Sequence, residues 1–265
     1  MHHFTNIVAS TLTTSRTAQL AWQGIVPQRA ETHPVLMHAL LALAGLHLAL
    51  RDNSASAYGE RALVHKQATI AIFRQEVARA DSRNSENRLD VLTLVSTIVA
   101  MLAFAQWHVE AQPPSLDDIV DVFALTQGVR TLWESGYRVD RASEIAAIYH
   151  NDAAENDQQG EPAAHEAGQL ANRVEALRAD AHKAMHSEAL ALLADVTSAR
   201  HPSTSEIRPV GHWPACISTT FLASLRARDP TSMAILEVYG DFIQHYEHLW
   251  WVGDWHRKIG LAVRR

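Results

Sequence analysis

His33-Pro34-Val35-Leu36-Met37-His38-Ala39-Leu40-Leu41-Ala42-Leu43-Ala44-Gly45-Leu46-His47-Leu48-Ala49 is apolar around almost the whole circumference of a helix, interrupted chiefly by His38 and His47. A helix that is hydrophobic all round is a buried one, and Pro34 suits its first turn because its φ is already set. Thr32 stands where a cap is expected, and the run stops before Asp52-Asn53-Ser54. From Val35 to Leu50 it falls short of the ~20 residues a membrane span needs. The stretch therefore reads as the central helix of an all-α protein, and no membrane span is expected.

Working outward, a second helix is expected from about Ser56 to Ala80, with Leu63, Ile70, Phe73 and Val77 on one face and Arg61, Lys66, Arg74 and Arg79 largely outside. Leu89 to Trp107 is apolar throughout and should pack centrally against the first helix. Pro113-Pro114-Ser115 breaks the chain and opens another helix through Leu116, Val120, Phe123, Leu125 and Leu132 to near Gly136. Asn151 to Gly160 is polar and acidic enough to read as a mobile surface loop. An Ala-rich helix follows from about Ala163 to Ala199, then helices from Ala215 to Arg226, from Thr231 to Trp251 and from Trp255. With few Gly and Pro, no alternating β-branched pattern, no repeat and no Gly/Ser linker, residues 1–265 are expected to form a single compact multi-helix domain.

Composition narrows the function. With 47% hydrophobic residues, 20% charged and seven Trp, the chain has the profile of a folded protein. A net charge of −6 and a pI near 6.2 argue against a nucleic-acid partner, whose binding draws on clustered Lys and Arg. One cysteine, Cys216, excludes an internal disulfide framework and a multi-cysteine zinc site, and fits a reducing compartment. Met1-His2-His3-Phe4-Thr5 has no secretory character, so cytoplasm and nucleus are the expected locations.

Several patterns could carry chemistry. Asp117-Asp118-Ile119-Val120-Asp121 reads as DDxxD, by which terpene cyclases hold Mg2+ for a diphosphate, and Asp52, Ser56 and Glu60 have the spacing of a second metal motif in reversed order. The competing reading is a capped helix: Ser115 as cap with Asp117 and Asp118 in the first turn, where carboxylates complement the helix dipole. His182 with His186, and His245 with His248, have metal-ligand spacing but lack an evident third ligand. Cys216 near a helix start has no flanking base or oxyanion motif and is not read as catalytic. The aromatics Trp213, Phe221, Tyr239, Phe242, Trp250 and Trp251, with Ile235, offer large apolar walls with a few polar tips. Such a set suits either a core or a hydrophobic binding pocket.

The His33 to Ala49 block, paired with Trp250-Trp251-Val252-Gly253-Asp254-Trp255, resembles the regulatory region of fungal zinc-cluster transcription factors of the sterol uptake control type. Further matching stretches are His65 through Phe73-Arg74, Phe104-Ala105, Asp117-Asp118-Ile119 leading to Gly128-Val129, and Trp213-Pro214 followed by Phe221 and Pro230. Glu237, Gly240 and Asp241 beside Tyr239 are unusually polar for the family. The resemblance implies an all-α dimer, homodimeric or paired with a related factor, with a hydrophobic pocket among the C-terminal helices that holds a sterol or other lipophilic metabolite. Met37, Leu41, Phe104, Trp213, Phe221, Ile235, Tyr239, Phe242, Trp250 and Trp251 are the residues expected to line it. The zinc cluster that such factors usually carry is not found in this chain, so direct DNA binding is not expected. Reuse of the pocket by an enzyme of secondary metabolism is the alternative, for example a cyclase of terpenoids or prenyl diphosphates using Mg2+ on Asp117, Asp118 and Asp121.

Overall fold

Two small residues let the first long helices lie against each other. Pro34–Arg51 and Ala55–Ala78 run antiparallel, and Gly45 meets Ala62 so closely that a Cβ there would stand 2.9 Å from the Ala62 Cβ. The computed structural model describes residues 1–51, 55–78, 86–110, 112–127, 139–149, 169–177, 183–197 and 207–265, and every regular element among them is helical. The all-α class expected from the sequence is therefore the class observed.

The Glu86–Ala105 helix packs against both members of this pair, and residues 91–99 on it are all buried. This is the central packing that its uniform apolarity predicts. Pro34–Arg51 and Arg88–His108 are long and apolar enough to cross a membrane by length and composition, but 61% and 83% of them is buried inside the protein, which is how core helices pass the same test.

The N-terminal residues form a layer that the sequence reading did not foresee. After His2–Asn6 and a 3-10 turn, Ser15 caps a helical run that is α over Arg16–Leu20, π over Ala21–Ile25 and α again over Val26–Ala30. Pro27 explains the widened turn, because it brings no N–H for the Gln23 carbonyl and its ring crowds that oxygen in α geometry. Phe4, Val8, Leu12 and Trp22 on this layer are fully buried.

Three boundaries differ from expectation. Thr32 does not cap the central helix: its hydroxyl donates back to the Arg29 carbonyl at 3.3 Å, while the first amides, Leu36 and Met37, donate to the His33 carbonyl. The helix expected from Ala215 to Arg226 is two: Ala215 falls near the end of Ile207–Cys216, which holds Pro214 inside it, and Thr219–Arg226 follows as a separate helix capped by Ser218. The helix expected to reach Trp251 spans Pro230–Gln244, after which the chain turns repeatedly until Trp255–Arg264. Residues 169–177 and Ala184–Thr197 are the described parts of the Ala-rich segment. The expected loop Asn151 to Gly160, Gly128-Val129, Leu132, Gly136, Asp52 and His182 lie outside the described residues.

Candidate functional site

Helix Ile207–Cys216 shows how the C-terminal half is locked together. Pro214 cannot donate to the carbonyl of Val210, one turn earlier, and that oxygen instead accepts a 2.8 Å hydrogen bond from the Tyr239 hydroxyl. The Trp213 ring stacks on Tyr239 at 4.5 Å, and its Nε1 donates to the Ala189 carbonyl at 2.9 Å. Phe123 and Phe221 close the group edge-on, 5.7 to 5.9 Å from these rings. Burial pushes the Tyr239 phenol well above its usual range, so it is a neutral donor. Both polar tips of this first aromatic group are thus committed to backbone oxygens.

A second group forms around the turns after Gln244. Phe104 meets Trp255 at 4.8 Å and Trp251 at 6.2 Å, and the Trp255 Nε1 donates to the Phe104 carbonyl at 3.0 Å. Trp250 sets its ring edge against His47 of the central helix at 4.9 Å, and His47 in turn hydrogen bonds to His3 at 3.0 Å. The indole nitrogens of Trp250 and Trp251 are buried and have no hydrogen-bond partner among the described residues. A buried donor left unpaired costs about 1–3 kcal/mol, so these two are unlike the tips of the first group.

A polar clasp underlies this turn. Gly253 has φ +47°, and a Cβ on it would stand 2.8 Å from the His108 Cε1, so only glycine fits without a shift. His108 Nε2 donates to the Trp251 carbonyl at 3.3 Å, while Nδ1 accepts from the nearly buried Lys258 ammonium at 3.3 Å. Lys258 also pairs with Asp254, whose carboxylate lies 3.3 Å from His108 Nδ1. Burial and then the Lys258 charge lower the His108 pKa, and burial, His3 and Arg51 hold His47 at about 4, so both rings are neutral at pH 7. For Asp254, burial is outweighed by the Lys258 ammonium, and the carboxyl stays below its usual value.

The ten residues expected to line a pocket are therefore distributed. Trp213, Phe221 and Tyr239 meet in the first group; Phe104, Trp250 and Trp251 belong to the second. Ile235 is fully buried, Phe242 is nearly so and meets Tyr246 at 5.5 Å, and Met37 and Leu41 are half-buried on the central helix. Phe123, Trp255, His47, His108 and Lys258 complete the two groups and are not among the ten. The run Gly253-Asp254-Trp255 carried the available signal, a turn glycine followed by an acidic residue at a helix start.

The acidic motif takes a different place. Ser115 Oγ accepts from the Asp118 amide at 3.2 Å while the Asp118 carboxylate accepts from the Ser115 amide at 2.8 Å, a reciprocal cap on Leu116–Thr126. Asp117 and Asp121 form exposed ion pairs with Arg226 at 3.3 and 2.5 Å. Their carboxylates serve a cap and a helix contact, and no group of three or more metal-ligating side chains gathers among the described residues. His186 is buried and bonds to Ser232 at 3.0 Å and Asp229 at 3.2 Å. His245 Nδ1 donates to the Phe242 carbonyl at 2.9 Å, and Cys216 Sγ lies 3.8 Å from His212 Nδ1. The polar departures beside Tyr239 have local causes: Asp241 pairs with Arg173, and Gly240 admits Ile259, whose Cγ2 would lie 3.2 Å from a Cβ there.

Residues 1–112 match the fungal specific transcription factor domain. Over 287 aligned residues the chain is 24% identical to a Zn(2)-C6 fungal-type transcription factor of Gibberella zeae, covering 99% of this chain and 56% of that protein. It is also 26% identical over 146 residues to Sterol uptake control protein 2 of Candida albicans, covering 54% of this chain and 19% of that protein. The chain thus spans about half the length of the first of these curated relatives and a fifth of the second. Residues 1–112 thus match the fungal specific transcription factor domain, and nearly the whole chain is similar to a Zn(2)-C6 fungal-type transcription factor.

Proposed function

We propose that the chain is a ligand-responsive regulatory domain whose Trp-rich C-terminal turns receive a sterol or another lipophilic metabolite bearing a hydroxyl. The observation that carries this reading is the pair of buried, unpartnered indole N–H groups on Trp250 and Trp251, with Trp251 beside the Phe104 ring, which also meets Trp255, and Trp250 against His47. A hydroxyl oxygen is the acceptor those donors lack, and the surrounding rings supply the apolar contact that a fused-ring body requires. The name of the Candida albicans relative, Sterol uptake control protein 2, supports the same ligand class.

Ligand occupancy would act through the turns, because they are held on one side by His47 and on the other by His108, residues of two different core helical segments. The domain would work as a homodimer or with a related transcription factor, between cytoplasm and nucleus, in the control of transcription. Binding of a labelled sterol tests this, read against a hydroxyl-free analogue in the wild type and in Trp251→Phe. That change keeps an aromatic ring but removes the N–H together with part of the indole's bulk. It is expected to weaken the hydroxylated sterol roughly 2- to 10-fold more than the analogue, the worth of one neutral hydrogen bond. Absence of saturable sterol binding in the wild type would overturn the sterol reading.

A further inference from the structure

The helical pair at the centre of the fold brings two imidazoles together on its solvent side. His38 on Pro34–Arg51 and His65 on Ala55–Ala78 are both half-buried, and their Nδ1 atoms face each other at 2.8 Å. The two nitrogens are hydrogen bonded to each other, with the ring centroids 5.1 Å apart and the planes tilted by 43°. We infer that this pair is a two-histidine site for a late first-row divalent ion, of the Cu2+ or Zn2+ class.

Three observations support the geometry. Metal–imidazole bonds are about 2.0–2.1 Å, so two nitrogens on one ion stand about 2.8 Å apart in cis positions of a square-planar site and about 3.3 Å apart in a tetrahedral one. The present separation meets the first and reaches the second by a small χ rotation. The backbones cannot drift, because the Gly45–Ala62 contact, two turns from His38 and one from His65, fixes the spacing of the helices. The half-buried rings also leave an open side, from which water would complete the coordination.

The protonation balance is simple. In the hydrogen-bonded pair one neutral ring carries its proton on Nδ1 and donates to the other. When a metal takes both Nδ1 lone pairs, the donor ring becomes the Nε2–H tautomer, and both imidazoles remain neutral with no net proton release. Of the divalent ions Cu2+ should bind most tightly.

The test uses the full chain titrated with Zn2+ by calorimetry and with Cu2+ by electron paramagnetic resonance, in the wild type, His38→Gln and His65→Gln, each first checked for native far-UV circular dichroism. The wild type should bind one more equivalent of Zn2+ than either variant, gain thermal stability with Zn2+ that both variants lack, and show a Cu2+ spectrum with two nitrogen ligands. The other fourteen histidines are common to all three proteins and cancel in the comparison. Equal stoichiometry and equal Zn2+ stabilisation in all three would overturn the site, as would a Cu2+ spectrum unchanged by both substitutions. None of these readouts depends on a sterol or on any lipophilic ligand.

Discussion

Replacing Gly253 by alanine tests the clasp beneath the Trp-rich turns. The substitution adds one methyl group at φ +47°, a left-handed conformation that costs a non-glycine residue roughly 1–2 kcal/mol. The methyl would also stand 2.8 Å from His108 Cε1, so the imidazole must move away from the Trp251 carbonyl and from Lys258. Each of those hydrogen bonds is worth about 1 kcal/mol, which brings the expected loss to about 3–4 kcal/mol. In a domain of this size that corresponds to a fall in melting temperature of roughly 5–15 °C. Urea unfolding followed by tryptophan fluorescence and by far-UV circular dichroism measures the loss and checks two-state behaviour. In the double variant Gly253→Ala/His108→Ala the overlap is gone, so the combined cost should fall short of the sum of the single costs by at least about 1 kcal/mol. A Gly253→Ala protein within about 0.5 kcal/mol of wild type, or strictly additive single effects, would refute the proposed clash.

Three other outcomes follow from the contacts described. Tyr239→Phe leaves the Val210 carbonyl without its compensating donor and should cost about 1–3 kcal/mol, read as a shift in the urea midpoint at constant slope. Ser115→Ala removes the reciprocal cap and should cost about 1 kcal/mol; a change within experimental error would mean that the cap is idle. Burial holds His47 at a pKa of about 4 when folded, against about 6.5 unfolded, so between these values the unfolded chain binds a proton that the native chain refuses. Stability should be intact above pH 6.5, fall by up to roughly 3 kcal/mol as pH drops to 4, and lose no more from this group below that. His47→Gln should flatten that part of the profile, and an unchanged slope would contradict the assignment.

Much of the fold was legible because its signals are local. The uniform apolarity of Val35 to Leu50 and of Leu89 to Trp107 marks central helices, and Ser115 followed three residues later by Asp118 marks a cap. The misread boundaries depend on distant partners. The helix expected from Ala215 starts earlier because Tyr239 supplies the Val210 carbonyl with the hydrogen bond that Pro214 cannot make. The Pro230–Gln244 helix continues in the sequence without Gly or Pro as far as Gly253. In the structure it ends at Gln244, and the chain turns repeatedly before Trp255, burying Leu249, Trp251, Val252 and Trp255. The site was half legible for the same reason: the aromatics are visible as residue types, but His47 and His108 join them only through tertiary contact.

Mass spectrometry of organic extracts from the full chain, purified from a fungal host, tests the central claim most directly, with an unrelated helical protein from the same host as control. A lipophilic, hydroxyl-bearing compound at near one equivalent per chain, released on denaturation and reduced in Trp251→Phe, is the predicted result. Extracts indistinguishable from the control, from protein that also takes up no added sterol, would contradict the claim that these turns receive such a ligand.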